Sequence, residues 1–246
     1  MDVKVMDKAL RKTTQKLRTA PFREDPYTYL VLDHVFPEKI FKEIVRLWPD
    51  EGVFDDINKT GRVTAGAYSA RQIFMLNDRA TLDRLSGEQK DFWYGIAHWM
   101  MSEDFTRSIL NKILPYLQAE AGDAVNTWRF TPRPQLVVDK GDYALTPHTD
   151  ANNRAIVMLF YCPKDESLKD QGTSVYAPKK NAMLPDAGPN WGAHMPKDLF
   201  ELVDTVEFVP NRVLAFVRSN TSYHGVEPMH CDGGRRILSW KLMITK

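Results

Sequence analysis

Thr146-Pro147-His148-Thr149-Asp150, answered further along by Asn220-Thr221-Ser222-Tyr223-His224-Gly225, is the stretch of this sequence that decides the fold. A histidine and an aspartate two residues apart point to the same side of an extended strand, so one backbone can present an imidazole and a carboxylate together. His224 then has to arrive from a neighbouring strand. Two histidines and one carboxylate on one face form the ligand set of catalytic non-haem Fe(II), and three positions of an octahedral ion stay open. His148, Asp150 and His224 are therefore the candidate metal ligands.

Working outward, the chain from Trp128 onward reads as β. Runs at 135–138, from 148 to 150, and at 155–161, 173–176, 205–209, 213–217 and 236–244 are short and punctuated by Gly, Pro, Asn or Asp, the pattern of a sandwich or jelly roll. The segment 177–202, rich in Pro, Asn and Gly, is longer than a routine connection and reads as a lid. The N-terminal half differs. Residues 3–18 form an amphipathic, basic helix, and Tyr27 to Leu32 reads as a strand. A helix opens at Pro37, with Ile40, Phe41, Ile44, Leu47 and Trp48 on one face. Mixed signals from 51 to 80 predict loops and short strands. Ser86-Gly87-Glu88-Gln89 reads as a capping box before an aromatic-rich helix. A second helix spans about 103–120, with a bend at Pro115. These aromatic stripes read as core.

The expected architecture is α+β: a double-stranded β-helix (jelly roll) with N-terminal helices packed against it. It forms a single domain over 1–246, with a mainly helical support region over about 1–125 and a catalytic core over about 126–246. With 43% hydrophobic and 26% charged residues, the composition is that of a soluble globular protein. A net charge of +1 implies no broad attraction to nucleic acid or membrane. No apolar stretch has the length of a membrane span. Two cysteines, Cys162 and Cys231, make no disulfide framework, so a cytoplasmic, reducing setting is the simplest expectation. His230-Cys231 has no second pair at zinc-finger spacing.

A His-x-Asp pair alone is often a surface turn, and three further features give it weight. Arg235-Arg236 lies beyond His224 and leads into Ile237-Leu238-Ser239-Trp240; a planar guanidinium suits the distal carboxylate of a dicarboxylate cosubstrate. Gly141-Asp142-Tyr143 is a turn that aims the strand carrying His148. Pro210-Asn211-Arg212 is a turn that opens the strand leading toward His224. His194 reads as a solvated lid histidine or a substrate contact, and Arg218 as a residue of the pocket mouth or a surface ion pair.

With these residues in order, the chain resembles the 2-oxoglutarate and Fe(II)-dependent oxygenases, in their prolyl-4-hydroxylase-like branch. The resemblance covers Gly141 to Asp150, Arg154 to Asp165, Gly172 to Tyr176 and Val213 to Lys241, with Tyr29 to Trp48 similar to the strand and helix that introduce the catalytic region. It implies iron on His148, Asp150 and His224, with 2-oxoglutarate chelating the metal through its keto-acid end. It also implies O2 as oxidant and ascorbate as an auxiliary reductant. The far carboxylate would meet Arg235, preferred because Ser239 follows on the same face, or Arg236, since strand parity leaves both open. Tyr161 would contact that carboxylate or sit in the core. The implied reaction is oxidative decarboxylation to succinate and carbon dioxide, coupled to hydroxylation of a small-molecule or peptidyl substrate. A carboxylate at 150 occupies the position that related halogenases leave to halide. The N-terminal helices would shape substrate choice or an oligomer interface. The rival reading is a non-catalytic metal-binding jelly-roll module.

Overall fold

The last strand of the chain sets the architecture by its alternation. Over Cys231–Thr245, Leu238, Trp240 and Leu242 enter a core shared with the helices, while Arg235, Ile237, Ser239 and Lys241 face the opposite way and line a cavity. A strand with one apolar and one polar face must separate two different environments, because successive side chains leave on opposite sides. In this computed structural model, residues 3–61, 70–184, 194–229 and 231–245 are described.

The elements run α1 (Val3–Thr19), β1 (Tyr29–Leu32), α2 (Glu38–Arg46), β2 (Asp55–Asp56), β3 (Arg71–Met75), α3 (Arg79–Leu82), α4 (Gly87–Met101) and α5 (Glu103–Ala121). The strands β4 (Arg129–Gly141), β5 (Leu145–His148), β6 (Arg154–Tyr161), β7 (Thr173–Pro178), β8 (Phe200–Val206), β9 (Val213–Val217), β10 (His224–Val226) and β11 (Cys231–Thr245) complete the chain. Seven strands form the larger sheet in the order β1-β9-β6-β11-β4-β3-β2, and four form the smaller in the order β5-β10-β7-β8. All pairings are antiparallel. This is the expected double-stranded β-helix with N-terminal helices against it. Residues before 126 contribute three strands of the larger sheet as well as the helices.

The helices cover the outer face of the larger sheet. Ile40 and Ile44 of α2, Trp93, Ile96 and Met100 of α4, and Phe105, Ile109 and Ile113 of α5 bury against Phe160, Ala215, Leu238 and Trp240. Each such side chain contributes ~1.5–3 kcal/mol of transfer free energy, so this layer anchors the sheet. The Trp240 indole donates to the Met100 carbonyl at 2.8 Å, which keeps its one polar group satisfied. In α1, Met6, Leu10 and Leu17 recur at helical spacing and are buried in the same cluster, with α4 and α5 as the helices that α1 contacts. That apolar stripe is covered within the chain.

Several details differ from expectation. Ser86 holds the N-cap position of α4, but its hydroxyl makes no cap bond. Glu88 pairs with Arg46 and Gln89 donates to the carbonyls of Leu47 and Trp48, so tertiary partners replace the capping box. α5 does carry a side-chain cap, with Ser102 Oγ accepting from the Phe105 N–H at 3.2 Å. The expected strand at 205–209 starts earlier, at Phe200, and ends at Val206. β8 is an edge strand with Glu201, Leu202 and Val203 exposed, so it lacks the buried alternation that marks a strand in sequence.

Asn211 ties the turn before β9 to the start of α2. Its backbone is left-handed (φ 61°). Its side chain accepts from the Phe36 N–H at 2.8 Å and donates to the Phe36 carbonyl at 2.9 Å, all buried. Asn211→Ala would strand both Phe36 groups and put a Cβ residue without side-chain compensation in the left-handed region. A loss of ~2–4 kcal/mol in urea unfolding is expected; a change under ~1 kcal/mol would show that the Phe36 groups find other partners.

Candidate metal centre and its pocket

β5 ends at His148, and β10 begins at His224 as its direct Cα partner, so strand pairing alone sets two imidazoles side by side. Their ring centroids are 4.3 Å apart. Asp150 lies just beyond the end of β5, outside the strand expected to carry it, yet one ligand atom each from His148, Asp150 and His224 lie within 4.8 Å of one another. β10 is threaded between β5 and β7. A side chain at Gly225 would put a Cβ 2.4 Å from the Leu145 carbonyl oxygen and 3.0 Å from the Tyr176 ring. Only glycine permits that approach beside His224.

The ring orientations favour metal binding. Nδ1 of His148 is 3.0 Å from the Thr146 carbonyl, and Nδ1 of His224 is 3.0 Å from the Ser222 carbonyl. A carbonyl only accepts, so each Nδ1 carries the proton and each Nε2 keeps its lone pair. Burial, the largest cause in both, lowers the two histidines below their usual value, His148 well below it. Burial pushes the Asp150 carboxyl up, but the opposing charges, Arg154 first among them, hold the group well below the carboxylate range. Arg154 pairs directly with Asp150, and Arg218 donates from Nε to the Asp150 carbonyl at 3.0 Å. The result is an ionised carboxylate beside two neutral imidazoles.

A second constellation lies along the larger sheet. Asp139 is fully buried and accepts a forked pair from Arg71, at 2.6 and 3.0 Å, and a third contact from Arg235 at 3.2 Å. Removing such a carboxylate would leave two guanidinium groups crowded together. Arg235 also donates to Thr173 Oγ1 at 2.8 Å, and the Tyr161 hydroxyl donates to the same oxygen at 2.7 Å. With both lone pairs taken, the Thr173 hydroxyl has its own proton left to give. Arg235 Nε and Ser239 Oγ are buried without a hydrogen-bond partner among the described residues. Thr173, Arg235 and Ser239 line the same cavity as the triad, which holds about 970 Å³ of open space including its mouth. Val175 is the Cα partner of His224, and Thr173 lies two residues along β7, on the order of 7 Å away.

The two neighbouring arginines separate by face. Arg235 enters the cavity, whereas Arg236 turns to the helix side and lies over the Trp48 ring at 5.8 Å. Tyr161 sits behind Thr173, against Arg235 and Phe208, and does not line the cavity. Arg218 is not at the pocket mouth; it braces the Asp150 loop through the Asp150 carbonyl and the Asn152 side chain. His194 stacks on His148 with centroids 5.1 Å apart and contacts Thr146 Oγ1 at 3.3 Å. His230 and 185–193, the middle of the expected lid, lie outside the described residues. Sequence reasoning gave no role to Arg71, Arg133, Asp139, Arg154 or Lys241. Polar residues at alternate positions of β4 (Arg133, Gln135, Asp139) and β11 (Arg235, Ser239, Lys241) were the available signal, because an alternating polar face inside a closed sandwich has to line a cavity.

No protein-family model matches the sequence, and no curated protein matches it significantly. Solved structures do. A prolyl hydroxylase from Trichoplax adhaerens, in complex with a hypoxia inducible factor oxygen degradation domain peptide fragment, aligns with a TM-score of 0.53 at 12% identity, covering 98% of this chain and 91% of that one. A prolyl-4-hydroxylase from Pseudomonas putida aligns at 0.50 and 13% identity, covering 94% and 96%. The dioxygenase for auxin oxidation 1 from Arabidopsis thaliana, in binary complex with 2-oxoglutarate, aligns at 0.51 and 11% identity, covering 95% and 88%. The fold is the one these oxygenases share. Among the described residues no helix is long and apolar enough to cross a membrane.

Proposed function

We propose that this chain is an Fe(II)- and 2-oxoglutarate-dependent dioxygenase that oxidises a C–H bond of a small-molecule or peptidyl substrate. The observation that carries the reading is the convergence of His148, Asp150 and His224 in one cavity with the unpartnered donors of Arg235 and Ser239. Buried donors without acceptors are costly, and a carboxylate placed between them would relieve that cost. The donor set therefore fits a dicarboxylate reaching from the metal ligands to Arg235. The neutral-imidazole and ionised-carboxylate set fits a divalent cation.

In this reading His148, Asp150 and His224 hold the iron, and Arg235, Thr173 and Ser239 bind the far carboxylate of 2-oxoglutarate. Tyr161 positions Thr173 by taking one of its lone pairs. Iron with 2-oxoglutarate and O2 supplies oxidative decarboxylation, releasing succinate and carbon dioxide and delivering one oxygen atom to the substrate. Arg154 keeps Asp150 charged and fixes where its oxygens point. Asp150 as a third protein ligand favours hydroxylation over halogenation. The whole chain would then be one oxygenase domain, with 126–246 as its catalytic core, 177–202 as a lid and ascorbate serving to keep the iron reduced.

Mixing the protein with Fe(II) and 2-oxoglutarate without oxygen is expected to give a weak visible charge-transfer band. Admitting oxygen is expected to release succinate slowly even without substrate. A jelly-roll module binding a structural metal would show neither, and that result would overturn the proposal.

A further inference from the structure

The two candidate histidine ligands are supported in different ways. His224 has the ring of Phe216, a fully buried residue of β9, at a centroid distance of 4.3 Å. Core packing therefore holds its imidazole, and a close-packed interior admits little movement. His148 ends β5, an edge strand of the smaller sheet, and its ring neighbour besides His224 is the exposed His194. The support for this second ligand comes from outside the sheets.

Residues 194–197 grip both histidine-bearing strands. The Met195 N–H donates to the Pro147 carbonyl at 2.7 Å. Proline has no N–H, so that carbonyl is the one backbone hydrogen-bonding group the residue before His148 can offer. The Met195 side chain is buried with Tyr176, Phe200 and Tyr223, and Tyr223 directly precedes His224. Lys197 pairs with Glu227, the residue after β10, and Glu227 also accepts from the Tyr176 hydroxyl. Anchored by these contacts, His194 lays its ring over His148, with the planes 26° and the centroids 5.1 Å apart. Nδ1 of His194 is 3.3 Å from Thr146 Oγ1, and the Thr146 carbonyl accepts from Nδ1 of His148. Thr146 is thus the common reference for both rings. A single hydrogen bond at Nδ1 leaves the His148 ring room to swing about it, and a second ring lying against its face narrows that freedom.

We propose that His194 is a positioning residue: by stacking on His148 it keeps that imidazole at the angle metal binding needs, and the grip of 194–197 on β5 and β10 sets how fast the metal is released. The proposal rests on the reading above in which His148 is an iron ligand. His194 is not itself in the ligand set, because among the described residues the groups close enough to share an ion are His148, Asp150 and His224.

The test uses Co(II) as a coloured stand-in for Fe(II), added to the metal-free protein without oxygen, with release followed after excess chelator is mixed in. His194→Ala is expected to speed release by about 3- to 10-fold, the span of a lost aromatic pair, and to alter the visible Co(II) absorption. The urea midpoint of the metal-free variant should stay near that of the parent, since His194 is exposed. His194→Phe keeps a ring against His148 and is expected to restore most of the slow release and the parent spectrum. Glu227→Gln, which loosens the grip without changing either histidine, is expected to speed release in the same direction. Unchanged release and spectrum in His194→Ala would overturn the proposal, as would a His194→Phe protein no better than His194→Ala. A lowered urea midpoint with an unchanged spectrum would leave His194 only a structural role, and unchanged release in Glu227→Gln would remove the part given to 194–197. A parent protein that gives no Co(II) spectrum would instead sink the metal reading, and the proposal with it.

Discussion

Asp150→Ala is expected to abolish the visible band formed with Fe(II) and 2-oxoglutarate and to reduce succinate release to background, in a protein that still folds. Asp150 is the only anion in the triad. Without it two neutral imidazoles face a divalent cation, and Arg154 places an uncompensated positive charge beside the same position. The ligand count falls and the local potential reverses together. Folding should suffer less than metal binding. Breaking a fully buried ion pair costs ~3–5 kcal/mol, but the Arg154 side chain is 24% exposed and water can take over part of its solvation, so a loss of ~1–3 kcal/mol is expected for the metal-free protein. The acid dependence carries a sign as well. A carboxyl held low in the fold stabilises it fully above its unfolded value near ~3.9, and that contribution fades as pH falls below it. The metal-free variant should therefore lose less stability than the parent on acidification through that range, measured by urea unfolding at stepped pH. An unchanged absorption band in Asp150→Ala would remove Asp150 from the metal site.

How much of this was legible in the sequence follows from the range of the contacts involved. His148 and Asp150 are two residues apart, so local geometry suffices to expect those two together; His224, beyond four intervening strands, is expected with them because the ordered motif resembles a known ligand set, not from local geometry. The β-helix itself was legible because its strands from 129 onward are mostly buried and sharply punctuated. β8 was misplaced because an exposed edge strand leaves no alternation to read. The choice between Arg235 and Arg236 was decidable in principle: Leu238, Trp240 and Leu242 share the parity of Arg236, and helices expected outside the sheet claim the apolar face. Asp139 was beyond reach. Nothing near it in sequence marks it as the buried partner of Arg71, a residue 68 positions away brought alongside only by the pairing of β3 with β4. Arg154 was noticed only as the start of a familiar segment. Its pairing with Asp150 depends on the turn at 151–153 rather than on any periodic pattern.

Arg235→Ala is expected to raise the half-saturating concentration of 2-oxoglutarate by about 10- to 150-fold, the equivalent of ~1.5–3 kcal/mol for a charged hydrogen-bonded contact. Fe(II) binding without the cosubstrate should change little, since Arg235 touches Asp139 and Thr173 but none of the triad. Arg71 keeps Asp139 paired through its own two contacts, so the variant does not leave a naked buried carboxylate. Lysine at 235 would restore the charge without the planar fork, and should recover affinity only in part. Arg236→Ala is the informative control. Its guanidinium stacks over Trp48 on the helix side of the sheet, so its loss should cost ~0.5–1 kcal/mol of stability and leave the 2-oxoglutarate requirement where it was. The opposite outcome, with Arg236→Ala raising that requirement and Arg235→Ala sparing it, would mean that β11 presents its other face to the cosubstrate. Adjacent arginines differ here only by parity, and parity on a strand decides which of the two environments a side chain enters.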